Sequence, residues 1–289
     1  MATLSASFRV HRASMIQADN AVMALLVGAQ LAYSSLSIAQ GSSISLSAMF
    51  PGVRHIERFQ LRPDRARREL GASEEHLARI AIPYALSVHE DYVTQVKDDL
   101  ASNSLPLALR GRRWNAENMH AILLESLGQA SLPDLTTFEA LRRLRNSLIH
   151  SGGVVDAYVE AGINMLSLDA SARWEQVVGR SPGESIKSGT VDVGAGEVML
   201  AFSTARHLSR ILHDATLTAF PASFWLTDCV DDFLRAHRET LRSGRLLRAK
   251  LEHYAEQYYE DFAFAWPELF EAARRAGAPA SQLRRRGER

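Results

Sequence analysis

Cysteine occurs once, at Cys229, and lysine three times, at Lys97, Lys187 and Lys250. A single cysteine excludes an intramolecular disulfide and a cysteine-rich metal centre, and it fits a reducing, cytoplasmic setting. Asp231 and Asp232 stand beside it and disfavour a thiolate, so Cys229 reads as a small buried hydrophobe rather than a nucleophile. No Gly-Lys phosphate loop is present, and His89-Glu90-Asp91 lacks the second histidine of a zinc helix. The 33 basic and 33 acidic residues leave no formal net charge, so no global field attracts nucleic acid and any polyanion site must be local. No segment is read as apolar for long enough to span a bilayer.

Arginine, by contrast, is abundant: 30 of the 33 cationic residues, an excess that suits bidentate phosphate contact and that GC-rich coding also produces. With 46% hydrophobic residues over 289 positions, the chain can bury a core of one or two domains.

Apolar residues from about 13 to 38, among them Met15, Ile16, Val22, Leu25, Leu26 and Leu31, predict a helix buried on more than one side. The run is taken as core rather than as an export signal, and no membrane partner is expected. A Ser-rich loop follows to Pro51-Gly52, with a short extended arm through Ile44 and Leu46. Six arginines from Arg54 to Arg68 surround Pro63, which should break or kink any helix there. Helices are predicted from Ser73 to about Leu100, through Pro83, and from Asn115 to about Leu127. The Gly-rich, β-branched ESIKSGTVDVGAGEVMLAF predicts a hairpin over about 184–200 that turns near Gly194 to Gly196, and helical periodicity resumes from Ser203 to Ala219.

Pro221 marks the expected boundary between a helical domain, 1–220, and a C-terminal helical extension, 221–289, with a basic tail. In the extension Arg235, Arg238, Arg242 and Arg245 fall at i, i+3, i+7 and i+10, a basic stripe that reads as a solvated face or an RNA contact. Tyr254, Tyr258, Phe262, Trp266 and Phe270 recur at i,i+4 and predict a packing ladder rather than a base-stacking platform. His207 and His213, six apart, read as a surface or interface pair. No metal and no cofactor is expected.

The most informative stretch is Thr136 to Gly153, TTFEALRRLRNSLIHSGG. Thr136 or Thr137 caps the start, Phe138, Leu141, Leu144 and Leu148 recur at helical spacing, and Gly152-Gly153 supply the stop. Asn146 and His150 are then i,i+4 neighbours on the polar side, with Arg143 one turn back. Arg145 projects between Leu141 and Ile149 in the apolar arc, where a buried guanidinium requires an acid, a water-filled groove or a phosphate.

LRNSLIHSGGVVDAYV resembles the signature of the HEPN superfamily (higher eukaryotes and prokaryotes nucleotide-binding), an Arg-x(4 to 6)-His motif near the end of a late helix in a helical bundle. Here the motif is Arg145 to His150, with Asn146 as the polar residue that commonly follows the arginine. The resemblance implies a helical bundle; with the hairpin and C-terminal helices read above, the expected fold is mainly α, a HEPN-like bundle with a small β-hairpin insertion and a C-terminal helical extension. It also implies a metal-independent endoribonuclease that dimerises around paired motifs and leaves a 2′,3′-cyclic phosphate. Such proteins are found among toxin and antitoxin pairs, with a nucleotidyltransferase or other antitoxin partner, and in phage defence. In that reading Arg145, Asn146 and His150 are catalytic, and Arg142, Arg143, Arg235, Arg238, Arg242 and Arg245 bind RNA. The alternatives are a noncatalytic nucleotide-binding or regulatory HEPN module and a helical interaction scaffold.

Overall fold

The computed structural model of the chain describes residues 3–59, 61–130, 133–239 and 247–283. Arg242 and Arg245 of the expected stripe, and the basic tail from 284 onward, lie outside them. The fold is mainly α with one small antiparallel hairpin. The helices are α1 (Ala6–Leu36), α2 (Leu46–Met49), α3 (Pro63–Gly71), α4 (Ser73–Ser102), α5 (Met119–Ser126), α6 (Thr136–His150), α7 (Ala157–Asn164), α8 (Leu168–Val178), α9 (Ala195–Ala219), α10 (Ala222–Ala236), α11 (Arg248–Tyr258) and α12 (Trp266–Arg275). The hairpin pairs β1 (Ile186–Lys187) with β2 (Thr190–Val191).

These elements form two compact units that are discontinuous in sequence. One comprises Met1–Ala13, His89–Leu132 and His207–Arg289, the other Ser14–Val88 and Pro133–Arg206. Pro221, the expected boundary, falls inside the first unit, because the C-terminal helices pack with the start of the chain rather than forming an appendage.

In the first unit the amide nitrogen of Leu4 donates to Tyr258 at 3.0 Å, and Arg9 stacks on the Tyr258 ring at 4.2 Å while pairing with Asp232. Trp225, Phe233, Leu251 and Leu269 close the core between α10, α11 and α12. The expected aromatic ladder is broken: α11 ends at Tyr258, Ala263 takes a left-handed conformation, and α12 starts at Trp266. Tyr254 meets Tyr258, Phe262 stacks on Trp225 at 5.5 Å, and Trp266 meets Phe270, so the rings pack locally rather than along one helix.

In the second unit Ile82, Leu86, Phe138, Leu141, Leu144 and Trp174 are buried. The sequence reading missed α7 and α8, although each carries a clear start signal. Asp156 accepts from the Val159 amide at 2.9 Å and Ser167 from that of Ala170 at 3.0 Å. Pro63 does not break a helix but opens α3, where its missing N–H costs nothing. The segment expected as an extended arm instead turns into α2 at Leu46, capped by Ser45, and buries Leu46 against Leu36 and Ala66 in a small satellite core.

The larger correction concerns α1. Expected as core, it is exposed over much of its length: an 18-residue window of mean hydropathy 1.6 is only 6% buried. This helix is long and apolar enough, by length and composition, to cross a membrane. Its buried side chains, Ala6, Phe8, His11, Met15 and Leu36, lie toward its two ends.

Candidate active site at the end of α6

Helix α6 covers the predicted span. Asp134, rather than Thr136 or Thr137, supports its start, accepting from the Thr136 amide at 2.8 Å and the Thr136 hydroxyl at 2.6 Å. Phe138, Leu141 and Leu144 are buried, which fixes the orientation of the other face. The end is built by the glycines. Gly152 and Gly153 have φ of 63° and 90°, where a side chain is strained, and the Gly153 amide turns back to the Ser147 carbonyl at 3.0 Å.

The hairpin secures this terminus. Val191 donates to the Gly153 carbonyl at 2.7 Å and Val155 to that of Gly189 at 2.9 Å, while the Ser147 hydroxyl donates to the Val154 carbonyl at 2.6 Å. The hairpin turns at Ser188-Gly189; the expected turn at Gly194 to Gly196 instead leads into α9. There Glu197 is buried and accepts from Arg180 Nη2 at 2.7 Å, the Ser185 hydroxyl at 2.7 Å and the Gly194 amide at 2.9 Å. A helix N-terminus needs acceptors of this kind, and Gly194 caps the start of α9 rather than turning a strand.

At this end of α6 the His150 ring is exposed in the last turn. Arg145 and Asn146 are half-buried, and Arg145 Nη1 donates to Asn146 Oδ1 at 3.2 Å. Its Nη2 reaches the Ser87 hydroxyl at 3.5 Å, the outer limit of a hydrogen bond. Arg79 of α4 adds a second cation that the sequence reading missed: its Nη1 donates to the Gly152 carbonyl at 3.3 Å, and its other nitrogens bind Glu75. The only local sign of it was the Glu75–Arg79 pair at i,i+4.

Two arginines expected to contact RNA are otherwise engaged. Arg142 is 4% exposed, pairs with Glu139 at 2.7 Å and donates to the Tyr158 hydroxyl at 2.8 Å. Arg143 stacks over the Tyr158 ring at 4.2 Å and donates to the Tyr158 carbonyl at 2.9 Å. Gly162 permits that contact, since a Cβ there would stand 2.6 Å from Arg143 Cδ. Both therefore hold α7 against α6. Arg235 and Arg238 are exposed on the first unit, Arg235 at 3.8 Å from Asp232.

No family model matches the chain, and neither a curated protein nor a solved structure matches it.

Gly179-Arg180-Ser181-Pro182-Gly183 has the Gly-x-Ser-x-Gly spacing of a hydrolase nucleophile elbow, yet Ser181 precedes a 3-10 turn and donates to Glu184 at 3.2 Å, with no strand leading into it. Cys229 is buried and its thiol is pushed up to about 12 by burial and by Asp228 and Asp232, which leaves it inert. His213 is buried, not on a surface: it stacks on Phe8 at 4.2 Å and bonds the Thr3 carbonyl at 3.0 Å. His89 and His120 are buried with their Nε2 atoms 2.7 Å apart, and His89 Nδ1 lies 2.7 Å from the Ser209 hydroxyl. Burial holds His89 well below the ordinary imidazole range and lowers His120 to about 4. Among the described residues no group of three or more His, Cys, Asp or Glu is placed to hold a metal ion.

Proposed function

We propose that the chain is a metal-independent endoribonuclease of the HEPN kind, acting in the cytoplasm as a homodimer in phage defence or growth arrest. The observation that carries this reading is the end of α6. An exposed imidazole stands one turn beyond a carboxamide that holds a guanidinium, at a helix terminus closed by two glycines.

The chemistry follows from those groups. The substrate 2′-OH attacks its own phosphodiester, losing a proton to a base; the P–O5′ bond breaks, and the leaving oxygen takes up a proton. His150 serves as the base or the acid, because imidazole is competent for both near neutral pH. Arg145 neutralises the charge gathering on the phosphorane oxygens, and Asn146 holds the guanidinium toward them. One chain supplies a single imidazole at this site, whereas the reaction takes one proton and gives another. A two-fold partner supplies the second histidine, which is the physical reason for a dimer. A silencing partner, such as an antitoxin or a nucleotidyltransferase, follows from the need to restrain a toxic nuclease.

The test is cleavage of end-labelled RNA in EDTA by the wild type, His150→Ala and Arg145→Ala. Cleavage only by the wild type, ending in cyclic phosphate, supports the reading. Nucleotide binding without RNA products at any enzyme concentration would instead assign the chain to the noncatalytic modules.

A further inference from the structure

Between Asp19 and Arg54 the chain contains no Asp, Glu, Lys or Arg. At about 100° per residue, Val22, Leu26, Ala29 and Tyr33 of α1 share an arc roughly 60° wide. All four are half-buried, while the wider arc of Met23, Leu25, Val27 and Leu31 is exposed, Leu25 at 57% and Leu31 at 65%. A groove of about 310 Å³ runs between α1 and α4, lined by Ala18, Ala21, Leu25, Ile80 and Tyr84 among others, with no ionised side chain on its walls. Beyond Leu36 the satellite core turns Leu46 and Ala66 inward and leaves Ile44, Phe50 and Val53 exposed, with Ile38 protruding at 91%.

The charges that end this stretch are mostly basic. From Arg54 to Glu69 there are six arginines and three acids, and Arg54, Arg58, Arg62, Arg65 and Arg68 are exposed. An uncharged, aliphatic helix face leading into protruding apolar side chains and then an arginine cluster has the two attractions that peripheral membrane binding requires.

We propose that the exposed face of α1, with the lobe of residues 37–59 and 61–68 that follows it, docks on an anionic phospholipid bilayer. The apolar side chains enter the acyl boundary, the arginines meet the lipid phosphates, and Tyr84 at the groove rim lies at headgroup depth, where amphipathic rings are favoured. Because the Val22–Tyr33 arc stays against the protein, α1 lies in the plane of the interface and does not cross it. Charge selects the bilayer over a second copy of the chain: a copy offers the same positive excess, the bilayer the complementary one. An isolated side chain such as Ile38 also fits a fluid better than a rigid partner without a matching pocket. The expectation of no membrane partner rested on α1 being core, and the exposure of α1 removes that ground. The inference is independent of the ribonuclease reading.

The experiment is co-sedimentation of the full chain with vesicles of phosphatidylcholine alone and of phosphatidylcholine mixed with phosphatidylglycerol. The wild type pellets with the mixed vesicles, less with the neutral ones, and salt weakens binding. Leu25→Glu with Leu31→Glu lowers partitioning about tenfold or more on both, whereas Arg54→Glu with Arg58→Glu does so on mixed vesicles only. All four positions are exposed, and circular dichroism verifies that the variants fold. A wild type that stays in the supernatant with both vesicle types overturns the proposal, as does unchanged binding by the leucine variant. A dimer in light scattering that the leucine substitutions dissociate, without vesicle binding, assigns the face to a second copy and overturns it as well.

Discussion

Arg145 Nη1 donates to Asn146 Oδ1 at 3.2 Å, so two side chains that leave α6 about 100° apart meet at one edge of the helix. The same guanidinium reaches the Ser87 hydroxyl of α4 through Nη2 at 3.5 Å. In the proposed reaction the Asn146 carboxamide, its oxygen so engaged, would offer its NH₂ group to a phosphate oxygen.

Under the proposed reaction, His150→Ala lowers single-turnover cleavage by about 10²- to 10⁴-fold, the usual value of a general acid or base. Arg145→Ala lowers it by about 10²- to 10³-fold. Asn146→Ala keeps both groups but frees the guanidinium from its carboxamide partner, and costs less than either. Melting temperatures near the wild-type value for all three separate chemistry from folding, and equal rates in wild type and His150→Ala would end the assignment.

Arg79→Ala tests the second cation. Its pair with Glu75 is partly solvent-exposed, so the stability cost is under about 1 kcal/mol. If Arg79 holds a phosphate beside the α6 terminus, RNA affinity falls and the slope of log K against log salt drops by about one. An unchanged slope in fluorescence anisotropy would remove Arg79 from the binding surface.

The buried histidines predict acid sensitivity. His120 is lowered from 6.5 to about 4 by burial, and His89 is lowered by burial and by His120 and His11. A base depressed in the folded state leaves the unfolded chain binding more protons. The histidines' contribution is therefore full above about pH 6.5 and falls as pH drops toward 4, by roughly 3 kcal/mol for His120. Asp99, raised from 3.8 to about 6 by burial, works in the opposite sense across most of that window. His120→Gln, which retains a side chain able to bond His89, should flatten the acid limb of the melting curve; an unaltered limb would place its origin elsewhere.

The two glycines after α6 should differ in their tolerance of alanine. Both have positive φ, but a Cβ on Gly153 stands 3.1 Å from Arg79 Nη1, whereas one on Gly152 meets nothing within 4 Å. Gly152→Ala costs about 1 kcal/mol from backbone strain, and Gly153→Ala costs more or displaces Arg79. Thermal denaturation of the two variants compares them directly, and equal costs without loss of RNA affinity would show that the Arg79 contact yields freely.

Glu197→Ala strips a buried carboxylate from Arg180, Ser185 and the Gly194 amide together. Arg180 keeps Asp192, so the cost is that of the lost hydrogen bonds and the uncapped helix start, about 1–3 kcal/mol. Loss of hydrogen-exchange protection at Val155 and Val191 would show that the hairpin depends on it.

The motif helix was legible because its signals are local: an apolar repeat of one period, a histidine in the last turn and a glycine stop. Helices α7 and α8 were missed because they are short and amphipathic, and their capping residues, Asp156 and Ser167, are also common in loops. Periodicity likewise could not place α1. A helix rich in apolar residues looks the same whether its neighbours cover it or leave it open, and the difference lies in contacts made by residues far along the chain. The same holds for Arg142 and Arg143. Only the fold places Tyr158 beside them and turns candidate phosphate ligands into the struts that hold α7.

Every side chain of the motif is synthesised by the time His150 joins the chain, yet the groups that fix the end of its helix come later: Gly189 and Val191 pair with the loop after it, and Glu197 anchors the hairpin that carries them. The ribosome thus completes the reactive residues before their support. The loop that closes α6 therefore has neither its backbone partners nor the Glu197 anchor until the chain has grown as far as residue 197.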